Sequence, residues 1–90
     1  MQNALIRIHV HEAHAPNQGA RLGLAVSRRA VRRAHDRNRI KRHARESFRL
    51  HRHRLPPGDY VVTAHPAAAR AEPAALRHGF EQLWLRLEQQ

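Results

Sequence analysis

The chain has 90 residues, which allows one small domain with a limited core, since such a domain buries only about two thirds of its unfolded surface. It contains no cysteine, which excludes a disulfide framework, a thiolate zinc site and a thiol nucleophile. The N-terminus has no long apolar run, so we expect neither a signal peptide nor a membrane span. The composition predicts a soluble, cytoplasmic protein without a membrane partner.

The formal net charge of +10 is concentrated in one segment. Residues 21–54 hold 13 of the 17 Lys and Arg residues and only two acids, so this segment carries +11 and the remainder carries −1. All of the cations except Lys41 are arginines, whose planar guanidinium binds phosphate through paired hydrogen bonds and stacks on bases. A bias of the genome towards arginine codons would explain the choice of arginine but not its concentration. We therefore predict a nucleic acid partner.

Two strands are predicted in the first third of the chain. Residues 5–11 alternate between apolar and polar side chains, and in residues 21–27 large apolar side chains alternate with the small residues Gly23, Ala25 and Ser27. The predicted buried faces consist of Ile6, Ile8 and Val10 in the first strand and of Leu22, Leu24 and Val26 in the second. A loop containing Pro16, Asn17 and Gly19 is predicted between them.

The segment from Val31 to Arg54 lacks glycine and proline and predicts a long helix. Its predicted apolar side consists of Ile40, Ala44, Phe48, His51 and Leu55. On the opposite side a polar row, the basic stripe, consists of Asn38, Arg42, Arg45, Arg49 and Arg52. The stripe predicts a rigid, positively charged surface several turns long.

The last third predicts one strand and one helix. Pro56, Pro57 and Gly58 end the long helix, residues 59–65 form a β-branched strand, and an alanine-rich connector leads to Pro73. The predicted core residues of the last helix are Leu76, Phe80, Leu83, Trp84 and Leu87. The order β-β-α-β-α predicts an α+β fold, a small two-layer α/β sandwich forming a single domain over residues 1–90.

Three segments together resemble one known family. Residues 21–49 contain the triplet Arg-Asn-Arg at 37–39 within a longer Arg-Asn-Arg-Ile-Lys-Arg run. This region resembles the signature of the bacterial ribonuclease P protein family. The runs Leu-Pro-Pro-Gly-Asp-Tyr-Val-Val at 55–62 and Leu-Arg-His-Gly-Phe-Glu-Gln-Leu-Trp at 76–84 resemble the next strand and the last helix of that family. The match in the right element order makes the resemblance specific.

The resemblance implies a left-handed crossover between the strands on either side of the long helix, although most such connections are right-handed. It implies two partners, the catalytic RNA of ribonuclease P and the 5′ leader of precursor tRNA, and no small-molecule substrate. In that family the RNA hydrolyses the leader bond with bound Mg²⁺. The protein subunit improves substrate affinity, lowers the metal requirement and is inactive alone.

Members of the family usually have a further basic N-terminal segment and a first helix, whose aromatic side chains line the leader-binding cleft. Here the first predicted strand starts at Leu5, so we expect that helix to be missing. Arg7, His9 and His11 are the candidates for part of the cleft wall.

The candidate RNA-binding residues lie between the second strand and the end of the long helix. They are Arg28, Arg29, Arg32, Arg33, Arg37, Asn38, Arg39, Lys41, Arg42, Arg45 and Arg49. We expect Asn38 to head the basic stripe, with Arg37 and Arg39 contacting phosphates from both sides. The arginines at 28–33 precede the helix, where clustered guanidiniums and backbone amides predict a phosphate clamp.

The residues predict no chemistry of the protein's own. His9, His11 and His14 with Glu12 do not complete a coordination sphere, so we expect no metal bound by the protein alone. The seven acids are scattered and include no pair typical of a two-metal nuclease, so we predict no catalytic residue.

Two alternatives share the basic composition. One is a ribosomal-type structural RNA-binding protein with no role in cleavage. The other is a small DNA-binding domain, which is disfavoured because no helix-turn-helix pattern is present.

Anion binding should promote folding, because the charge of segment 21–54 opposes compaction of a small core. A ligand that binds only the folded form stabilises it by roughly 2.7 kcal/mol at a hundredfold excess over its dissociation constant. We predict that the chain is partly unfolded at low ionic strength. Circular dichroism should show sulfate raising helicity and melting temperature before chloride of equal ionic strength does. An equal response to both salts would leave charge screening as the only effect.

Overall fold

The elements follow one another in the predicted order in the computed structural model, which describes residues 1–13 and 18–90. They are β1 (Ile6–Glu12), β2 (Ala20–Leu24), α1 (Ala34–His51), β3 (Gly58–Ala64) and α2 (Pro73–Glu88), with short 3₁₀ helices at Arg52–Arg54 and Pro66–Arg70. The predicted α+β class is confirmed. His14, and the loop predicted at Pro16 and Asn17, lie outside the described residues.

The three strands form one sheet in the order β1-β3-β2. β1 pairs antiparallel with β3, placing Ile8 opposite Val62, whereas β2 pairs parallel with β3, placing Leu22 opposite Tyr60. Parallel neighbours cannot be joined by a tight turn, so the chain must cross from one end of the sheet to the other between them. α1 makes this crossover, so the most basic element of the chain is also the connection that the sheet requires.

One face of the sheet packs against both helices. Its side chains Ile6, Ile8 and Val62 are fully buried. The rings of Phe48 on α1 and Trp84 on α2 lie 5.4 Å apart edge to face, in the geometry that aromatic pairs prefer. The predicted apolar sides of both helices are confirmed, because every one of these residues is buried: Ile40, Ala44, Phe48, His51, Leu55, Leu76, Phe80, Leu83, Trp84 and Leu87.

Two predicted boundaries around the crossover are wrong. β2 ends at Leu24 and α1 begins only at Ala34. The side chain of Ser27 explains part of this difference, because its hydroxyl accepts a hydrogen bond from the amide of Ala30 and closes a turn there. Val31 is buried in the core from outside the helix, and Arg33 at the N-cap is extended, with φ −85° and ψ 132°.

The predicted burial of Val10 is also wrong, since 46% of this residue is exposed. Val10 faces the same side as Ile8, but it lines a cavity of about 450 Å³ together with Tyr60 and Leu87. The helices therefore do not close over the far end of β1. Strand alternation predicts the face of a side chain but not whether another element covers it.

A charged cluster lies where α1 and α2 end together. The imidazole of His51, only 2% exposed, bonds Glu88 through Nδ1 and Glu81 through Nε2, the latter at 2.9 Å. Arg54 adds an ion pair to Glu88 at 3.3 Å. Both ring nitrogens of His51 face carboxylates, and this arrangement favours the imidazolium form, in which both nitrogens can donate. Burial alone would lower the pKa of His51, but the hydrogen bonds to Glu81 and Glu88 outweigh it and raise the pKa above 6.5.

This cluster should make folding stability depend on pH. A histidine whose pKa is raised in the folded state stabilises the fold fully below its unfolded pKa of 6.5 and loses that contribution as pH rises through the folded value. The free energy of unfolding, measured in urea, should therefore fall as the pH rises above 6.5. His51→Gln should weaken the dependence of the unfolding free energy on pH. The other histidines are the same in both proteins, so they do not contribute to the difference. Equal slopes for the two proteins would contradict the assignment.

Candidate nucleic-acid interface

The basic stripe lies on the outer face of α1, as predicted. Its members Asn38, Arg42, Arg45 and Arg49 are exposed on α1, and Arg52 is exposed on the following 3₁₀ turn. Lys41 lies beside the stripe and is partly buried. Within residues 1–13 and 18–90 no carboxylate pairs with a guanidinium of the stripe. The stripe therefore presents uncompensated positive charge on a rigid rod.

The arginines along α1 affect the pKa of His43, a partly buried histidine on this helix. Burial lowers the pKa of His43, the guanidiniums of Arg42, Arg39 and Arg77 lower it further, and Glu46 opposes them. His43 is thus favoured in its neutral form.

The four arginines of the predicted clamp lie outside the helix. Arg28 and Arg29 occupy the turn that Ser27 closes, and Arg32 and Arg33 lie in the extended stretch before Ala34. All four side chains are exposed. The sequence placed the last two at a helical start, whereas the structure puts them in a loop that runs into the first turn of α1.

The two arginines of the Arg-Asn-Arg triplet donate hydrogen bonds to backbone carbonyl oxygens. Arg37 donates through Nη1 to the carbonyl oxygens of Val31 at 2.9 Å and Arg32 at 2.7 Å. Arg39 donates to the carbonyl oxygens of Ala71 at 2.8 Å and Ala69 at 3.2 Å. Asn38 is exposed, whereas Arg37 and Arg39 are partly buried. The predicted phosphate contacts of Arg37 and Arg39 stay a prediction, and the structure gives both side chains a role that sequence reasoning missed.

The candidate cleft wall lies on the solvent face of the sheet. Arg7, His9 and His11 are exposed there on the side of β1 opposite Ile6 and Ile8. Across β3 the same face continues to β2, where Arg21 pairs with Asp59 at 3.2 Å. Among the described residues the face carries no phenylalanine, tyrosine or tryptophan ring, because all four such side chains are buried in the core: Phe48, Tyr60, Phe80 and Trp84.

Sequence reasoning also missed Arg70. It lies at the end of the 3₁₀ helix Pro66–Arg70 and lines a cavity together with Arg32 and Arg33. The connector reads as a low-complexity alanine stretch, and its single arginine is distant in sequence from the basic segment. Only the folding of the connector back beside the start of α1 brings Arg70 to the interface.

Metal and membrane features are absent from the part of the chain that the structure describes. No group of three histidine, aspartate or glutamate side chains there is arranged to hold a metal ion. His51 with Glu81 and Glu88 does not qualify, because both imidazole nitrogens are engaged by the carboxylates. Neither helix has the length and apolar character needed to cross a membrane.

The chain matches known proteins along most of its length. The family model for ribonuclease P matches residues 1–88. The ribonuclease P protein components of Klebsiella pneumoniae (strain 342) and Yersinia enterocolitica serotype O:8 are each 53% identical over 66 residues, which are 73% of this chain. The chain spans 56% of the length of these curated relatives.

Solved structures show the same fold. The RNase P protein of Staphylococcus aureus superposes with a TM-score of 0.83 at 24% identity, over 96% of this chain and 77% of that one. The RNase P protein of Thermotoga maritima, solved with 1-(4-fluorophenyl)-2-thiourea, superposes with a TM-score of 0.78 at 27% identity, over 96% and 82%. With a family match over residues 1–88 and this fold, the chain belongs to the ribonuclease P protein family.

Proposed function

We propose that the chain is the protein subunit of ribonuclease P and binds the catalytic RNA and the 5′ leader of precursor tRNA. In this role it supports endonucleolytic removal of the leader during maturation of the tRNA 5′ end. The observation that carries the proposal is the basic stripe, which has no carboxylate partner among the described residues and begins inside the family's Arg-Asn-Arg triplet. Phosphates of a folded RNA are the natural counter-charge for such a rod.

The carboxylates favour a supporting role over a catalytic one. Asp59 is paired with Arg21, and Glu81 and Glu88 are bonded to His51. The described residues therefore do not fit a protein-held Mg²⁺ site of the kind that a two-metal nuclease needs. We infer that Mg²⁺ is held by the RNA subunit and the substrate, and that the protein alone is inactive. The ribosomal-type alternative is not favoured by the family match.

The cleavage assay tests the function directly. At low Mg²⁺, where the catalytic RNA alone cleaves precursor tRNA poorly, addition of the chain should restore release of the 5′ leader. The reason is that bound arginines offset phosphate repulsion which Mg²⁺ otherwise has to screen. Gel analysis of a labelled precursor measures this, and the protein without RNA should release no leader. Tight RNA binding without any rescue would instead support the structural RNA-binding alternative.

Two arginines at the centre of the stripe should carry part of the RNA affinity. Arg45→Ala with Arg49→Ala keeps the helix intact, because alanine favours helix and both side chains are exposed. We expect weaker binding of the catalytic RNA and a log–log salt slope smaller by roughly one per lost phosphate contact. Filter binding across a salt series measures both quantities.

Matched variants separate a local effect from general charge and from folding. Arg77→Ala with Arg86→Ala removes the same charge from exposed positions of α2 and should change the salt slope little. Ile40→Asp places an unpaired charge at a fully buried position and should unfold the chain. Loss of helicity in the Arg45 and Arg49 variant would show that these side chains support the fold.

A further inference from the structure

A basic notch lies between the loop that precedes α1 and the connector that precedes α2. It is an open concavity of about 750 Å³, lined by Arg32 and Arg33 from the loop and by Arg70 from the connector. The remaining wall is made mostly of alanine and proline side chains, which leave room between the three guanidiniums. Residues 37 positions apart in the sequence thus converge on one space.

The charge of the notch is mostly uncompensated. Among the described residues no carboxylate pairs with Arg32, Arg33 or Arg70. One carboxylate, Asp36, lines the same space, and its Oδ1 lies 3.7 Å from the imidazole Nδ1 of His35. Three guanidiniums therefore face one carboxylate, and the positive end of the α1 dipole lies at the same place.

The walls of the notch are held by the two arginines of the family triplet. Arg37 binds the carbonyl oxygens of Val31 and Arg32, which fixes the loop wall. Arg39 binds the carbonyl oxygens of Ala69 and Ala71, on either side of Arg70 in the sequence. Arg37 and Arg39 both lie in the first two turns of α1, so one rigid helix sets the distance between the two walls.

We propose that this notch binds a backbone phosphate of RNA, with Arg32, Arg33 and Arg70 as the contacting residues. Arg37 and Arg39 are positioning residues, which hold the two walls at the separation that the contacts need. A guanidinium fork matches two phosphate oxygens at once, and the small side chains of the wall admit a sugar–phosphate backbone. The proposal rests on the proposed function for the identity of the RNA, and it adds Arg70 to the interface.

Arg70→Ala tests the contact, with Arg77→Ala as the matched control because it removes one exposed arginine outside the notch. Arg70→Ala should weaken RNA binding roughly tenfold, the usual scale for a lost charged hydrogen bond, and lower the salt slope by about one. Arg77→Ala should change neither quantity appreciably.

Two assays with these variants locate the phosphate. One titrates the catalytic RNA alone, and the other follows cleavage of precursor tRNA with long and short leaders. A loss confined to the second assay places the phosphate on the substrate.

Asp36→Asn supplies a test of opposite sign. Removing the only carboxylate of the notch should tighten RNA binding several-fold, because repulsion with the bound phosphate disappears. The same substitution should slightly lower the melting temperature, since Asp36 lies in the first turn of α1 where an acid favours the helix dipole. Tighter binding by a less stable protein cannot come from improved folding. Unchanged or weaker binding would count against a phosphate beside Asp36.

A double-mutant cycle between Arg39 and Arg70 tests positioning. If Arg39 acts by holding the connector, Arg39→Ala should lower the salt slope as Arg70→Ala does, and the double variant should lose little more. If Arg39 itself contacts phosphate, the two losses should add. A loss of melting temperature alone, with unchanged affinity of the folded protein, would show a purely structural role.

A separate probe keeps this proposal distinct from the proposed function. Pyrophosphate should raise the melting temperature of the chain and of Arg77→Ala, and it should raise that of Arg70→Ala less. If that difference appears but the chain does not restore cleavage at low Mg²⁺, the notch stands and the ribonuclease P role falls. If cleavage is restored but Arg70→Ala matches Arg77→Ala in every assay, the notch is overturned and the function stands.

Discussion

The sheet places two parallel strands side by side, and that pairing requires a crossover that returns the chain from one end of the sheet to the other. In this chain the crossover contains α1, which carries five arginines and one lysine. Its buried side contributes Ile40, Ala44 and Phe48 to the core. Because a helix repeats every 3.6 residues, burial of that side turns Arg42, Arg45 and Arg49 towards solvent.

The arginines divide into two groups with different physical roles. Those on the stripe and in the loop before α1 have no carboxylate partner among the described residues, so their charge remains available for an external anion. Arg37 and Arg39 instead satisfy backbone carbonyls of segments that lack regular strand or α-helix pairing. A carbonyl at such a place needs a donor when water is excluded, and a guanidinium can serve two carbonyls at once. The triplet therefore connects the helix to its neighbouring loops, with Asn38 directed to solvent between Arg37 and Arg39.

At the other end of the helix pair, acidic side chains accompany the basic ones. Glu81 and Glu88 meet the buried imidazolium of His51, and Arg54 joins from the 3₁₀ turn. α1 and α2 begin beside the basic notch and end at this cluster, so their carboxyl-terminal dipole ends meet the two cations. Glu81 and Glu88 are thus engaged in interactions within the fold. This is one reason why the opposite end and the outer face remain strongly positive.

Hydrophobic periodicity by itself determined the element order, the buried sides of both helices and the outward direction of the basic stripe. These features follow from local geometry, in which a period of two or 3.6 residues assigns each side chain to a face. The motif and the order of the elements also pointed to the right family. The turn at Ser27 shifted the start of α1, because a side-chain hydrogen bond to the backbone competes with a helical one. Only the tertiary structure placed Arg70 beside Arg32, bound Arg37 and Arg39 to carbonyls, and enclosed His51 between two carboxylates. Each of these contacts joins groups from separate elements or loops, and no local pattern encodes the distance between them.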